Sequence, residues 1–146
     1  MGFLDRFRKG RAMTAAELEE RSKVDGIKYR DLEVVGALMQ HGADLRAPRE
    51  VIFYLYLPDA DSAERAAAPL RDAGLDVDLP GPNEEYYAEH PEQPRQWPVI
   101  ARSFGRALIP DFLRETTDLC ADVAEQHGGE YDGWEAGLNA DEVSGS

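Results

Sequence analysis

The chain has 146 residues, and 42% of them are hydrophobic, which is enough for a single domain with its own core. Lys and Arg number 16 against 29 Asp and Glu, and the net charge of −13 argues against direct nucleic acid binding and suits either solubility or a basic protein partner. The single cysteine, Cys120, excludes an internal disulfide and predicts a core thiol in a cytoplasmic protein, and no apolar run approaches the ~20 residues of a membrane span.

Residues 2–11 form a small basic segment in this acidic chain. Four basic residues and one acid give the segment a charge of +3, so the remainder carries −16. Its apolar residues, Phe3, Leu4 and Phe7, fall at helical spacing. The segment is interpreted either as a weak peripheral membrane or partner anchor, or as part of a partly flexible N-terminal extension over residues 1–28.

Three helices and one strand are predicted in the first half of the chain. They are a short helix from Thr14 to about residue 23, a helix over 31–40, a strand over 51–57 and a helix from 59 or 61 to about 73. Thr14 and Glu17 have the spacing of a capping box, and Asp31 is the expected N-cap of the second helix. Pro69 is expected to kink the third helix or end it early, because proline removes a backbone hydrogen bond.

The strand over 51–57 is apolar or aromatic at every position, which predicts a central strand with both faces at least partly covered. Alternation places Val51, Phe53, Leu55 and Leu57 on one face, and Ile52, Tyr54 and Tyr56 on the other. The first face is expected to meet the helices. The tyrosine face is either covered by the helix over 31–40 or exposed to a partner.

The second half is predicted to contain a strand over 75–79, a polar connection over 83–96, a strand over 97–104, a helix from 110 to about 127, and a last strand after 130. The connection is read as a solvated loop, a partner contact through Tyr86 and Tyr87, or a metal site around His90. Its ligand spacing fits no standard metal pattern, so no metal is predicted. Residues 139–146 are expected to be a flexible acidic tail.

The most distinctive run is GGEYDGWE, residues 128–135. Its two leading glycines follow a helical pattern and suit a left-handed helix exit. Tyr131 and Trp134 bring large rings, and Gly133 between them is expected to leave room for a neighbouring backbone or ring. With the spacing of the elements before it, this run resembles the C-terminal signature of the regulator of ribonuclease activity B family, the ribonuclease E inhibitor proteins, over about residues 31–138.

The order of elements predicts an α+β fold. A strand, a helix, two strands, a helix and a strand follow the helix over 31–40, which is the ferredoxin-like order. We therefore expect a four-stranded antiparallel sheet with two helices on one face, plus an additional N-terminal helix, in one domain over 29–138. The central strand over 51–57 is expected to pair with the strand that contains Tyr131.

No catalytic constellation emerges from the sequence. It contains no phosphate-binding glycine loop and no nucleophile elbow. Cys120 and His127 are seven positions apart, too far for a thiol–imidazole pair. Glu130 and Asp132 lie on one side of a strand, but no group is predicted to orient them for acid–base chemistry. We predict no catalytic residues, no cofactor and no metal.

The resemblance implies a non-enzymatic bacterial regulator that binds ribonuclease E through its C-terminal scaffold region and lowers its activity. An acidic surface suits a basic scaffold. The candidate partner-binding residues are Tyr54, Tyr56, Tyr86, Tyr87, Glu130, Tyr131, Asp132 and Trp134. For Tyr131 and Trp134, packing within the domain is the alternative to contact with a partner. A monomer or weak homodimer is expected.

Two other classes of function stay open on the sequence. One is a generic protein-interaction module whose partner has no connection with RNA decay, including a homodimer through an open sheet face. The other is a small-ligand sensor with a pocket between the sheet and the helix over 31–40.

Overall fold

The computed structural model describes residues 13–143, and the elements are numbered here in chain order. The helices are α1 (Ala15–Glu19), α2 (Tyr29–Gln40), α3 (Ala60–Asp72), α4 (Glu84–Glu89), α5 (Pro110–Gln126) and α6 (Ala140–Val143). The strands are β1 (Pro48–Leu57), β2 (Asp76–Asp78), β3 (Trp97–Ala107) and β4 (Glu130–Ala136). The predicted basic anchor over residues 2–11 lies outside the described residues.

The four strands form one antiparallel sheet in the order β2-β3-β1-β4. This confirms the predicted α+β, ferredoxin-like fold, with β1 between β3 and β4. Phe53 of β1 lies opposite Ala101 of β3 and Trp134 of β4. Because residues opposite each other in a sheet point to the same side, these three share one face.

The core lies between the sheet and helices α3 and α5. Val51, Phe53 and Leu55 are fully buried and Leu57 nearly so, as the alternation in β1 predicts. Phe53 meets Phe112 of α5 edge to face, with ring centroids 6.3 Å apart. The side of the sheet that carries Phe53 is therefore the helical side.

Helix α2 also lies on the helical side, beside α5. The indole Nε1–H of Trp134 donates to Asp31 of α2 across 2.9 Å. The segment before α2 is joined to α5, since Arg21 pairs with Asp118 at 2.7 Å and Arg114 donates to the Asp25 carbonyl at 2.9 Å. The tyrosine face lies on the other side of the sheet. This helix therefore does not cover it, although the sequence allowed that alternative.

Two helix boundaries differ from the sequence prediction. Helix α2 begins at Tyr29, with Lys28 as its N-cap, so the assignment of Asp31 as N-cap is wrong. The Asp31 side chain is buried and accepts from Trp134 rather than from its own helix. Helix α1 does form the predicted capping box between Thr14 and Glu17, but it ends at Glu19, before residue 23.

Helix α3 starts from an Asp59 cap and ends at Asp72, as predicted, so the alternative of an early end at Pro69 does not occur. Ala66, Ala67 and Leu70 around the proline are buried, which favours the helix there. The polar connection over 83–96 contains the short helix α4, in which the Asn83 side chain accepts from the Tyr86 backbone N–H.

The structure describes the C-terminal tail, which is expected to be flexible, as far as Val143. Its residues 140–143 form α6, where the Glu142 carboxylate makes a bidentate pair with Arg49, at 2.8 and 2.9 Å. The Arg49 side chain is fully buried and also donates to the carbonyls of Asp44 and Gly137. A buried guanidinium needs such a counter-charge, so this part of the tail is held against the domain.

Candidate protein-docking surface

The sheet has a second side, opposite α3 and α5, which we call the outer face. Strand alternation and register place on it Ile52, Tyr54 and Tyr56 of β1, Pro98, Ile100 and Arg102 of β3, Asp76 and Asp78 of β2, and Glu130, Asp132 and Glu135 of β4. Ile52, Tyr54 and Ile100 are half-exposed at its centre. The outer face therefore combines an apolar and aromatic centre with an acidic border.

Polar contacts order the centre of the outer face. The Tyr54 hydroxyl donates to the Glu135 carboxylate, and this bond raises the pKa of Tyr54. Arg102 forms ion pairs with Asp78 of β2 and, at 3.4 Å, with Glu50 of β1. Arg102 thus offsets part of the acidic charge, and Tyr54 is held in one orientation.

One end of the outer face forms an open groove of about 380 Å³, which we call the tyrosine groove. Its lining includes Tyr56, Tyr86, Tyr87, Pro98, Glu130 and Asp132. Helix α4 places its two tyrosines there, with ring centroids 5.1 Å apart in an edge-to-face pair. The Tyr87 hydroxyl accepts from the Gln96 backbone N–H at 2.9 Å, which fixes the ring against the start of β3.

The carboxylates of the tyrosine groove differ from those at the centre of the outer face. The carboxylates of Glu130 and Asp132 form no hydrogen bond or ion pair with any residue between 13 and 143. Burial, with a smaller contribution from Asp132, raises the pKa of Tyr56. The groove thus presents two unpaired negative charges beside three phenol rings.

A β-bulge separates the rings of the GGEYDGWE run from its acids. Leu55 lies opposite Tyr131 and Phe53 opposite Trp134, so β4 has one more residue than β1 between these pairs. Gly133, at φ +101°, lies in this bulge. Without the bulge, alternation would place Tyr131 and Trp134 on opposite faces; with it, both rings face the core and all three acids face outward.

Tyr131 and Trp134 are therefore packing residues in this structure. Trp134 is only 8% exposed. The Tyr131 hydroxyl is buried without a hydrogen-bond partner in the described chain, and burial strongly raises the pKa of Tyr131. Of the eight candidate partner-binding residues, the other six lie on the outer face or in the tyrosine groove. Their role in binding stays a prediction.

The close approach expected at Gly133 occurs at Gly129 instead. A Cβ added at Gly129 would lie 2.3 Å from the Tyr56 carbonyl oxygen and 2.7 Å from Leu57 Cδ1. A Cβ at Gly133 would meet nothing within 4 Å, so glycine is required there by its left-handed backbone. Gly129 lets the start of β4 approach the end of β1.

A second cleft, of about 350 Å³, lies between the start of α2, helix α5 and β4. Its lining includes Lys28, Arg30, Asp31, Asp118 and Tyr131. Lys28 and Arg30 both pair with Glu19 of α1, at 3.0 and 3.1 Å. The cleft lies close to the place where the sequence suggests a ligand pocket, beside the helix over 31–40.

Other predicted features have structural roles. Cys120 is fully buried, and burial raises its thiol pKa to about 12. His127 is the C-cap of α5. Within residues 13–143, no group of acidic, histidine and cysteine side chains could hold a metal ion. In the same stretch, none of the helices has the length and apolar character needed to cross a membrane.

Comparison with known proteins gives one family. The family model described as Regulator of ribonuclease activity B matches residues 29–136. No curated protein matches the chain. The matched stretch begins with α2 and ends with β4, so it contains the outer face, the tyrosine groove and the bulge. Helix α6 and Glu142 lie beyond it.

Proposed function

The chain belongs to the regulator of ribonuclease activity B family, and from this premise we propose that it binds ribonuclease E and lowers its activity without being an enzyme itself. The family is one of regulators of ribonuclease activity. The proposed partner region is a basic, poorly ordered scaffold segment of the nuclease. The proposed setting is the bacterial cytoplasm, with no direct contact between the chain and RNA.

The composition of the outer face is the main support for this proposal. A surface with Ile52, Tyr54 and Ile100 at its centre and carboxylates at its border offers both apolar area and negative charge to a partner. Positive charge on the partner would be attracted over long distances by the net charge of −13. Docking on the scaffold would then block or rearrange the contacts that the nuclease uses to degrade RNA.

The test uses the host's own ribonuclease E, once as the full enzyme and once without its basic C-terminal region. We expect saturable binding that weakens as salt is raised, and slower RNA cleavage by the full enzyme only. The truncated enzyme is the matched control, because it retains the catalytic domain. Absence of binding at low salt, or equal inhibition of both enzymes, would contradict the proposal.

A second candidate function is supported by the cleft between α2, α5 and β4. Tyr131 lines this cleft, and its hydroxyl is buried without a partner among the described residues. A small polar ligand could supply the missing hydrogen bond. A thermal-shift screen of metabolites tests this function, since a ligand of the native state raises the melting temperature. A Tyr131→Phe variant that still responds to the hit would argue against this site.

A general interaction module is the remaining alternative. It would use the same outer face with a partner outside RNA decay, or with a second copy of this chain. Light scattering over a range of concentrations tests self-association. If ribonuclease E does not bind, an unbiased search for partners becomes the next experiment.

A further inference from the structure

We propose that the tyrosine groove is a receptor for an arginine side chain of the basic partner. This proposal deepens the proposed function and rests on its premise of a basic protein partner. The occupant to which we commit is an arginine in an extended segment. Three features support it, namely the charge of the groove, the geometry of its rings and the contrast with the acids at the centre of the outer face.

The unpaired charge of the groove is the first observation. At the centre of the outer face the acids already have partners within the domain: Asp78 and Glu50 pair with Arg102, and Glu135 accepts from Tyr54. Glu130 and Asp132 have no such partner in the described part of the chain, and both line the groove. An incoming cation would therefore bind these carboxylates without breaking a bond within the domain.

The rings are the second observation. Tyr56, Tyr86 and Tyr87 line the same groove as the two carboxylates. A guanidinium is planar and weakly hydrated, so it stacks on a phenol ring while it donates to a carboxylate. The ammonium of lysine is a compact, strongly hydrated point charge and gains less from such a site. The groove therefore favours arginine over lysine.

The rim of the groove already contains one arginine of this chain in a similar setting. The Arg95 guanidinium lies 5.9 Å from the centre of the Tyr87 ring and pairs with Glu84 of α4 at 2.8 Å. A ring of the groove can thus be approached by a guanidinium that is held by a carboxylate. We infer that a partner's arginine binds Glu130 and Asp132 in the same manner.

The test measures binding of two blocked peptides, tetra-arginine and tetra-lysine, to the full chain at low salt. We expect the arginine peptide to bind about tenfold more tightly than the lysine peptide. Glu130→Gln with Asp132→Asn should remove this preference. The matched control, Glu64→Gln with Asp72→Asn on the exposed side of α3, makes the same change of charge and should retain it. Circular dichroism checks that each variant folds.

A second pair of variants tests the ring. Tyr87→Phe and Tyr87→Leu both lose the bond with Gln96, but only the first keeps an aromatic face. We expect tight arginine binding in Tyr87→Phe and weakened binding in Tyr87→Leu. Equal behaviour of the two variants would overturn the role of the ring.

Three results would overturn the proposal as a whole. The first is equal affinity for both peptides with equal loss in the groove and control variants, which would mean attraction by net charge alone. The second is no binding of either peptide. The third is binding only after removal of residues 2–11, which would assign the groove to the chain's own basic segment.

Inhibition of ribonuclease E by the same variants separates this proposal from the proposed function. If the wild-type chain and Glu130→Gln with Asp132→Asn inhibit equally, the groove is not the receptor, although the proposed function holds. If the wild-type chain prefers the arginine peptide but does not inhibit, the groove holds and the proposed function fails.

Discussion

The carboxylate of Asp31 and the indole of Trp134 form a buried bond that joins α2 to β4. The geometry is favourable at 2.9 Å, yet burial raises the pKa of Asp31, with the indole, Lys28 and Arg30 opposing this effect. The bond therefore matters in two ways. It satisfies the indole N–H, and it holds a charge where a charge is costly.

Loss of the indole should destabilise the domain. Trp134→Phe leaves the Asp31 carboxylate buried without its donor, and we expect a loss of about 1–3 kcal/mol in the free energy of unfolding. Urea denaturation at pH 7 measures it. In a double-mutant cycle, Trp134→Phe should cost less free energy of unfolding in the Asp31→Asn background, where the charge is absent, than in wild type. Full stability of Trp134→Phe would contradict a structural role for the bond.

The charge itself predicts a pH effect of known sign. The folded pKa of Asp31 lies above the ordinary aspartate value of 3.8, so the folded state binds the proton more tightly than the unfolded state. The contribution of Asp31 to stability is then greatest at low pH and falls as the pH rises from 3.8 through the folded pKa. The free energy of unfolding of Asp31→Asn minus that of wild type should therefore be more positive at pH 7 than at pH 3. An unchanged difference would contradict this.

Alanine substitutions at Gly129 and Gly137 form a matched pair that tests the close approach of β4 to β1. At Gly129 an added Cβ would lie 2.3 Å from the Tyr56 carbonyl oxygen, while at Gly137 it would meet nothing within 4 Å. We expect Gly129→Ala to cost about 1–3 kcal/mol, because backbone must shift. Gly137→Ala should cost nothing measurable. Thermal unfolding of both variants checks this, and equal melting temperatures would contradict it.

At the scale of the elements, β1 can be predicted from sequence almost completely. Its alternation is continuous from Val51 to Leu57, and the same residues are buried in the structure. The side of the sheet on which Trp134 lies cannot be predicted in this way. It depends on one extra residue in β4, and a glycine at position 133 is compatible with a bulge or with regular strand.

The short helices and the helix starts are harder to predict from sequence. Helix α4 has only six residues and none of them is buried, so hydrophobic periodicity gives no signal for it. Asn83 before it is the available signal, as an N-cap. The N-cap of α2 is predicted three residues late, at Asp31 instead of Lys28, because Asp31 suits an N-cap by residue type, whereas its partner Trp134 is remote in the sequence. The positions of Tyr86 and Tyr87 beside Tyr56 follow from neither pattern.

The Glu142 carboxylate joins helix α6 to the rest of the domain. Glu142 accepts from both terminal nitrogens of Arg49 and from the backbone N–H groups of Asp44 and Asn139. The Arg49 bonds, followed by these backbone bonds, lower the pKa of Glu142 to about 2. The folded state thus prefers the charged form, and α6 should dock more firmly while Glu142 is ionised.

Glu142→Gln should destabilise the domain with a defined pH dependence. The contribution of the carboxylate is fully present above the ordinary glutamate pKa of 4.5 and is lost as the pH falls through about 2. The stability gap between wild type and Glu142→Gln should therefore be constant from pH 7 to 5 and close towards pH 2. Chemical denaturation at several pH values measures the gap. A gap that persists undiminished at pH 2 would contradict the role of the charge.

At the scale of the whole molecule, the charge is acidic on both sides of the sheet, but its surroundings differ. On the helical side, Glu64, Asp72 and Asp122 are exposed on α3 and α5. On the outer face, Asp76, Glu130 and Asp132 accompany tyrosines and isoleucines. Long-range attraction of a basic partner would use all of these charges, whereas docking would use those of one face.

Two charge-matched triple variants separate attraction from docking. Asp76→Asn, Glu130→Gln and Asp132→Asn together lower the acidity of the outer face, while Glu64→Gln, Asp72→Asn and Asp122→Asn make the same change on the helical side. Three exposed ion pairs at roughly 0.5 kcal/mol each predict about tenfold weaker binding to the basic region of ribonuclease E for the first variant. The second should bind nearly as well as wild type.

Salt makes this comparison sharper. At low salt the surface charges act most strongly, so the two variants should differ most clearly there, and the difference in affinity between them should shrink as salt screens the charges. If docking uses the outer face, the outer-face variant should also depend less on salt than wild type, because it brings fewer charges into contact with the partner. Equal weakening of the two triples at every salt concentration would mean that net charge alone attracts the partner, and the outer face would lose its assignment as the docking surface.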